Sequence, residues 1–361
     1  MGLSGFAEDR ISLYLGGVAE KIAADAVPAD ESINIGALER EIDVCERAKH
    51  VYPDGIGQRY GCYYRQAQLY FAMSAPFAQC RILAKDNDQR IQVPTIIKSR
   101  AVCDRGDHGV VLPLNWMRHW SSVGNLAAND RPFEQKDDRL LWRGVTTGCF
   151  DATDQNNPLS PRYYLAHLPE LADGIDAKFT KLTQHTDANR SFPLAAVQAR
   201  MGARLTMAEQ LESKFLLCLE GNDVATGLKW MLGSQSTIIM PKPRCETWLL
   251  EGELKAWEHY VPVNTDLSDL NDIYDWCRSN PQKCKEIAQN GRAYVARFLD
   301  IKTEFAIIRA VVRGYLNHAD APLTFSARQR ITQLPQVHAL WADYGRFKWR
   351  IRANKRGFGT G

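Results

Sequence analysis

Residues 214–240 read KFLLCLEGNDVATGLKWMLGSQSTIIM, and their organisation decides the fold. Lys214 to Leu219 is a short apolar run of the kind that forms a buried strand. Glu220-Gly-Asn-Asp223 is a turn, Val224 to Leu232 a short helix, and Ser236 to Met240 a second strand closed by Pro241. Strand, helix and strand in this order predict parallel pairing through a right-handed crossover. Further on, the pattern predicts a helical segment around Trp248 to Trp257 and a strand at His259 to Val263. Thr265 or Asp266 then caps a helix over Asp269 to Arg278, and Pro281 opens another that runs to about Leu299. The second half of the chain is thus a Rossmann-like parallel sheet, and such sheets bind ligands at the carboxyl ends of their strands.

Upstream, residues 6–25 and 36–50 carry apolar side chains at helical spacing, such as Ile11, Leu15, Val18 and Ile22. From Arg81 onward short apolar runs alternate with polar turns: Arg81 to Ala84, Pro94 to Ile97 and Val110 to Leu114, all read as strands. A polar stretch, Asn129 to Asp138, precedes the strand-like run Arg139 to Arg143, which stops at Gly144. The expected organisation is N-terminal helices plus a Rossmann-like domain over 1–135, a second Rossmann-like domain over 136–320, and a C-terminal helix with a basic tail over 321–361. A chain of 361 residues exceeds the range in which one core keeps growing, which also favours two domains and a cleft.

With 45% hydrophobic and 24% charged residues the composition excludes disorder and collagen. Lys+Arg 45 against Asp+Glu 42 gives a formal +3, too close to neutral for a chain built around nucleic-acid phosphates, so no nucleic-acid partner is expected. The excess is concentrated at the end, where Arg346, Lys348, Arg350, Arg352, Lys355 and Arg356 alternate with Phe347, Trp349 and Ile351. That tail suits a polyanion, and a polyanion-binding module is the alternative function; it also suits peripheral contact with anionic lipid. The first residues lack a basic segment followed by an apolar core, and no apolar run is long enough to span a bilayer. The expected location is therefore cytoplasmic, or peripheral at the inner face of the membrane. Nine cysteines without CxxC pairs argue against a disulfide framework or structural zinc and for reduced, mostly buried thiols.

Several segments have the composition of a site. The turn Glu220 to Asp223 joins a strand end to a helix start, where N–H groups favour an anion; equally, Asp223 is a helix cap. GxGxxG and GxxxxGK[ST] are both absent. Asp86-Asn87-Asp88 has the spacing of a metal-diphosphate triplet or of an ordinary surface turn, and a carboxylate there is a candidate general base. Lys98-Ser99-Arg100 follows a strand as a basic loop. Trp142-Arg143-Gly144-Val145-Thr146-Thr147-Gly148 combines an aromatic ring, a fork-shaped cation, two glycines and two hydroxyls, a set suited to a polyanionic or sugar ligand or to a plain glycine turn over a core tryptophan.

Four segments in order resemble glycosyltransferase family 90, the group of Rumi-type O-glucosyltransferases, capsule xylosyltransferases and bacterial lipopolysaccharide-modifying relatives. They are Pro94 to Arg100, Leu141 to Gly148, Lys214 to Trp230, and Trp248 to Leu270, extended by Ile287-Ala288 and Asn290-Gly291. The resemblance implies an α/β protein of GT-B type, two Rossmann-like domains facing a cleft with extra terminal helices. It also implies inverting, metal-independent transfer from a nucleotide sugar, usually UDP-linked, to a hydroxyl of a glycan, lipid-linked glycan, lipopolysaccharide or protein acceptor, with no cofactor.

Carried over position by position, Arg143, Gly144, Thr146 and Thr147 would lie on the donor diphosphate or sugar. Gly221, Asp223, Val224, Ala225, Thr226 and Lys229 would frame the nucleotide, with Glu251 and His259 at the same strand ends. Thr146 and Gly227 stand where eukaryotic members have further arginines, which shifts diphosphate neutralisation to Lys98, Arg100 or Arg162. The family's catalytic Asp-Tyr-Pro-type segment is not recognisable, and Asp86 or Asp88 occupies the nearest comparable loop.

Overall fold

A computed structural model describes residues 5–20, 63, 67, 70–71, 82–83, 91, 94–114, 123, 126–183 and 192–318. The expected helix over 36–50, the Asp86–Asp88 triplet and everything expected beyond His318, including the basic tail, lie outside the described residues. Along the chain the described strands are β1 (Ile82–Leu83), β2 (Thr95–Ile97), β3 (Arg100–Ala101), β4 (Gly109–Val111), β5 (Asp137–Val145), β6 (Ile175–Lys181), β7 (Ser213–Leu217), β8 (Thr237–Met240), β9 (Cys245–Glu246) and β10 (Val261–Pro262). They fall in two compact units. The described residues before Arg118, with Cys245–Leu250 and those from Leu299 onward, make the first; Arg118–Arg244 with Glu251–Phe298 make the second.

In the second unit five described strands form one sheet in the order β10-β8-β7-β5-β6, every neighbouring pair parallel. Read from β6 by position in the chain, this is the doubly wound order 2-1-3-4-5. The reason for parallel pairing is in the sequence: Leu140–Trp142, Phe215–Leu217 and Thr237–Met240 are buried continuously rather than at alternate positions, as strands covered on both faces are. Leu140, Trp142, Phe179, Phe215 and Ile239 of the sheet pack with Leu165 of the β5–β6 crossover helix and with Leu270, Tyr274, Cys277 and Ile287 of the two helices that follow β10. Apart from the segment Trp248 to Trp257, the strands and helices expected between Lys214 and Leu299 are present, with ends shifted by a few residues.

Three expectations are corrected. The helix of the 224–232 segment begins only at Leu228, with Gly227 as N-cap, because Gly221 N donates to Asp223 O (3.1 Å) and Leu228 N to Ala225 O (3.0 Å), which keeps the preceding residues in turns. Asp223 is therefore not its cap. No α-helix occupies Trp248 to Trp257, only a single 3-10 turn at Glu251–Glu253: Leu250 (φ 54°) and Trp257 (φ 65°) are left-handed, and the chain passes from the first unit back into the second between Leu250 and Glu251. The helix Leu270–Ser279 has Asp269 at its N-cap, and Asp266 instead closes a turn by accepting from Ser268 N at 3.0 Å.

The first unit contains a three-stranded parallel sheet, β1-β2-β4, and an antiparallel pair, β3 with β9. Helix Gly5–Leu15 packs on helix Ile301–His318, and Arg10 crosses between them to hold both oxygens of Glu304 at 2.6 and 2.7 Å. No described helix is long and apolar enough to cross a membrane. None of the described cysteines is in a disulfide; Cys218, Cys277 and Cys284 are buried whereas Cys103 is exposed and Cys149 and Cys245 are partly so.

Candidate active site

The doubly wound order reverses between β5 and β7. The chain leaving β5 crosses to β6 on one side, and the chain leaving β7 crosses to β8 on the other, so their carboxyl ends diverge and leave a crevice. Thr146–Gly148 line one lip and Cys218–Asp223 the other. Gly148, at φ 101°, turns the first lip toward the second; its N–H donates to Asn222 Oδ1 at 2.8 Å, and a side chain at this position would meet Ser160 at 2.7 Å.

Arg162 spans the two lips. Ser160 caps the helix Pro161–His167, its Oγ accepting from Arg162 N at 3.2 Å, and this start sets Arg162 beside the strand ends. Its Nη1 donates to Val145 O (2.9 Å) and Thr147 Oγ1 (2.5 Å), and its Nη2 to Leu219 O (2.8 Å). Below it lies the Trp142 ring, 5.8 Å from the guanidinium carbon. These partners are neutral oxygens and an aromatic ring, no carboxylate of the described residues pairs with this guanidinium, and its Nε is buried with no partner. Burial pushes its pKa down to about 10, with Cys218, Glu220 and Asp223 opposing, so it remains a cation at neutral pH. A cation held only by neutral oxygens at a strand-end crevice has the chemistry to receive an anion.

Gly144 belongs to this support. A Cβ there would stand 2.3 Å from Cζ2 of Trp142, so the glycine makes room for the ring beneath Arg162. Gly144→Ala is expected to destabilise the protein by about 2 kcal/mol through overpacking, read as a lowered thermal midpoint; an unchanged midpoint would show that the ring has room to move. Arg143 faces the other way. Its guanidinium binds Asp176 Oδ2 at 2.5 Å, Asp176 O at 2.8 Å and Ala203 O at 3.1 Å, tying β5 to the edge strand β6. Thr146 is buried and exchanges hydrogen bonds with the backbone of Thr183, at 2.8 and 3.0 Å.

Beside the crevice a recess open to solvent runs along the carboxyl ends of β7 and β8. Val224, Ala225 and Leu228 form its apolar side, Pro241–Arg244 its rim, and Glu220 and Glu251 its carboxylates. Glu220 holds Arg244 by two bonds of 3.0 Å, from the backbone N and from Nε. Lys229 is fully buried, its ammonium 2.6 Å from Glu251 Oε1. Burial and Glu220 push the Cys218 thiol up to about 12, so it is no thiolate nucleophile.

The structure thus brings together Thr147, Arg162, Gly221, Asp223, Val224, Ala225, Lys229 and Glu251 on one edge, with Thr146 and Thr226 adjacent in the chain. It does not bring in His259, which lies on the amino side of β10, accepts from Lys255 N at 3.0 Å and tilts against Tyr294. Lys98 and Arg100 are buried in the first unit. Lys98 stands 5.8 Å from the Tyr63 ring centroid, and Arg100, fully enclosed, is salt-bridged to Glu246 at 2.9 Å and donates to Gly109 O. The pair Glu220–Arg244 was not singled out from the sequence; the signal was Pro241-Lys-Pro-Arg244 directly after a strand, on the same edge as the turn.

Fold and site define an α/β unit with a cationic crevice at the switch point of a parallel sheet. Residues 162–319 match the family described as Glycosyl transferase family 90, the family to which the sequence motifs pointed. Among curated relatives the chain is 28% identical over 63% of its length to the O-glucosyltransferase LpsA of Dichelobacter nodosus, covering 63% of that protein. It is 25% identical to the O-glucosyltransferase rumi of Drosophila pseudoobscura pseudoobscura over 51% of its length and 42% of the relative's. It is 30% identical to the uncharacterized protein 035R of Invertebrate iridescent virus 3, over 56% of this chain and 18% of that one. The match spans less than two thirds of each relative.

Proposed function

We propose that this protein is a glycosyltransferase that moves a sugar from a UDP-linked donor to a hydroxyl of a glycan or lipopolysaccharide-type acceptor, with inversion and without a metal ion. The observation that carries this reading is Arg162, a half-buried cation with no carboxylate partner among the described residues and a buried, unused Nε, standing where a doubly wound sheet receives its ligand. The family match and the names of LpsA and rumi support sugar transfer in particular.

In the proposed reaction a carboxylate, assigned to Asp86 or Asp88, takes the proton of the acceptor hydroxyl as its oxygen attacks the anomeric carbon. The bond to the diphosphate breaks on the opposite face, and the leaving charge falls to Arg162. The apolar wall of Val224, Ala225 and Leu228 takes the nucleoside, and Glu220 with Arg244 closes its rim.

UDP at about 100 times its dissociation constant is expected to stabilise the protein by about 2.7 kcal/mol, which raises the thermal midpoint by roughly 5–10 °C. A midpoint that stays put with UDP and with a panel of UDP-sugars would sink the reading.

A further inference from the structure

Away from the crevice, the second unit carries an exposed aromatic side chain that the proposed reaction does not use. Trp257 is 42% exposed, and its backbone is left-handed at φ 65°, a conformation a bulky residue avoids. The short loop around it enforces that conformation. Trp257 N donates to Tyr260 O at 2.7 Å, His259 N to Lys255 O at 2.9 Å, and Lys255 N returns to His259 Nδ1 at 3.0 Å. Its ring meets Trp276 of helix Leu270–Ser279 at 4.7 Å and 72°. The loop thus spends backbone strain on holding an indole rigidly at the surface, and strain of this kind collects at ligand sites.

The surroundings select the ligand. Lys255 and Glu258 stand on either side of Trp257 in the chain, their side chains 70% and 48% exposed and 3.5 Å apart, so the pair carries no net charge to attract an anionic lipid surface. The other large exposed hydrophobics among the described residues, Leu182, Leu194 and Met201, are on or near edge strand β6, whereas Trp257 precedes β10 at the opposite edge of the sheet. One isolated indole falls far short of the roughly 1,000 Å² a protein partner needs. A single exposed indole, with a donor and an acceptor in the same short loop, does fit one sugar ring, whose C–H face would stack on the aromatic surface while its hydroxyls would reach for Lys255 and Glu258.

We propose that Trp257, with Lys255 and Glu258, is a docking platform for one sugar unit of a longer saccharide, separate from the crevice. Because Trp257 lies on the amino side of β10 and the crevice at the carboxyl ends of the strands, the platform would hold a growing glycan at a distance from the reacting end. The assignment of the saccharide as the acceptor glycan rests on the glycosyltransferase reading.

The test titrates the full chain with lipid-free core oligosaccharide released from lipopolysaccharide, by calorimetry, and in parallel follows the UDP-induced thermal shift. Trp257→Phe should bind the oligosaccharide within about three-fold of the parent, while Trp257→Ala and Trp257→Leu should bind at least ten-fold more weakly, all with the UDP shift intact. Leucine still covers Trp276 but offers no aromatic face, so it separates a stacking role from simple packing. Oligosaccharide binding that is absent in the parent, or equal in the parent and both non-aromatic variants, overturns the platform. A missing UDP shift with tryptophan-dependent oligosaccharide binding instead overturns the glycosyltransferase reading and leaves the platform standing.

Discussion

Arg162→Ala is expected to lower kcat/KM at least 100-fold, about 3 kcal/mol of transition-state stabilisation, and to abolish the thermal shift produced by UDP. Two properties of the guanidinium combine to give this size. Its charge is partly desolvated at the strand ends and is hydrogen-bonded to no carboxylate of the described residues, so its attraction for an incoming diphosphate is tempered only by the more distant Glu220 and Asp223. Its fork is fixed by Val145 O, Thr147 Oγ1 and Leu219 O, so no reorganisation is needed when charge develops on the leaving group. The same bonds also join β5 to β7, and alanine costs stability as well, about 1 kcal/mol for each bond lost. Arg162→Lys separates the contributions: it keeps the charge and loses the fork, and should retain part of the UDP shift while turnover falls. An alanine variant that keeps both turnover and the UDP shift would remove Arg162 from the site.

What the sequence revealed and what it concealed divide along the distance between partners. The strand-turn-strand of 214–240 was legible because apolar runs, a Glu-Gly-Asn-Asp turn and a closing proline are local signals. The basic residues were legible only as basic residues. Arg100 read as a loop cation facing ligand, yet its counter-charge Glu246 lies 146 positions away and encloses it in the first unit. Arg143 read as the diphosphate arginine of a glycine turn, yet the parallel register of β5 with β6 aligns it with Lys178 and brings Asp176 to its fork. Arg162 was one of three cations named for the diphosphate, and nothing local distinguishes it. Its position depends on β5 and β7 being neighbours, a long-range fact that no periodicity contains. The expected helix at 248–257 failed for a related reason: apolar residues at helical spacing there serve a crossing between two units, with two left-handed residues that a helix would forbid.

Lys229 and Glu251 show the same concealment, and the consequence is measurable. Both residues look like site residues in sequence, yet the ammonium is fully buried against the carboxylate at 2.6 Å, with the carboxylate lining the recess. Removing one member of such a pair is costly because the other charge stays buried, so Lys229→Met is expected to destabilise the protein by about 3–5 kcal/mol. For a unit of this size that lowers the thermal midpoint by roughly 10 °C. Replacing both, as Lys229→Met with Glu251→Leu, removes the stranded charge and should return the midpoint to within a few degrees of the parent, since an apolar pair of similar volume is often neutral. The UDP shift then tells what the pair is for. Glu251 contributes a wall of the recess, so the double variant should recover its midpoint without recovering the full UDP shift. If the single variant is as stable as the parent, the pair does not hold this edge together. If the double variant regains both stability and the UDP shift, the pair is a packing feature and the recess does not need its carboxylate.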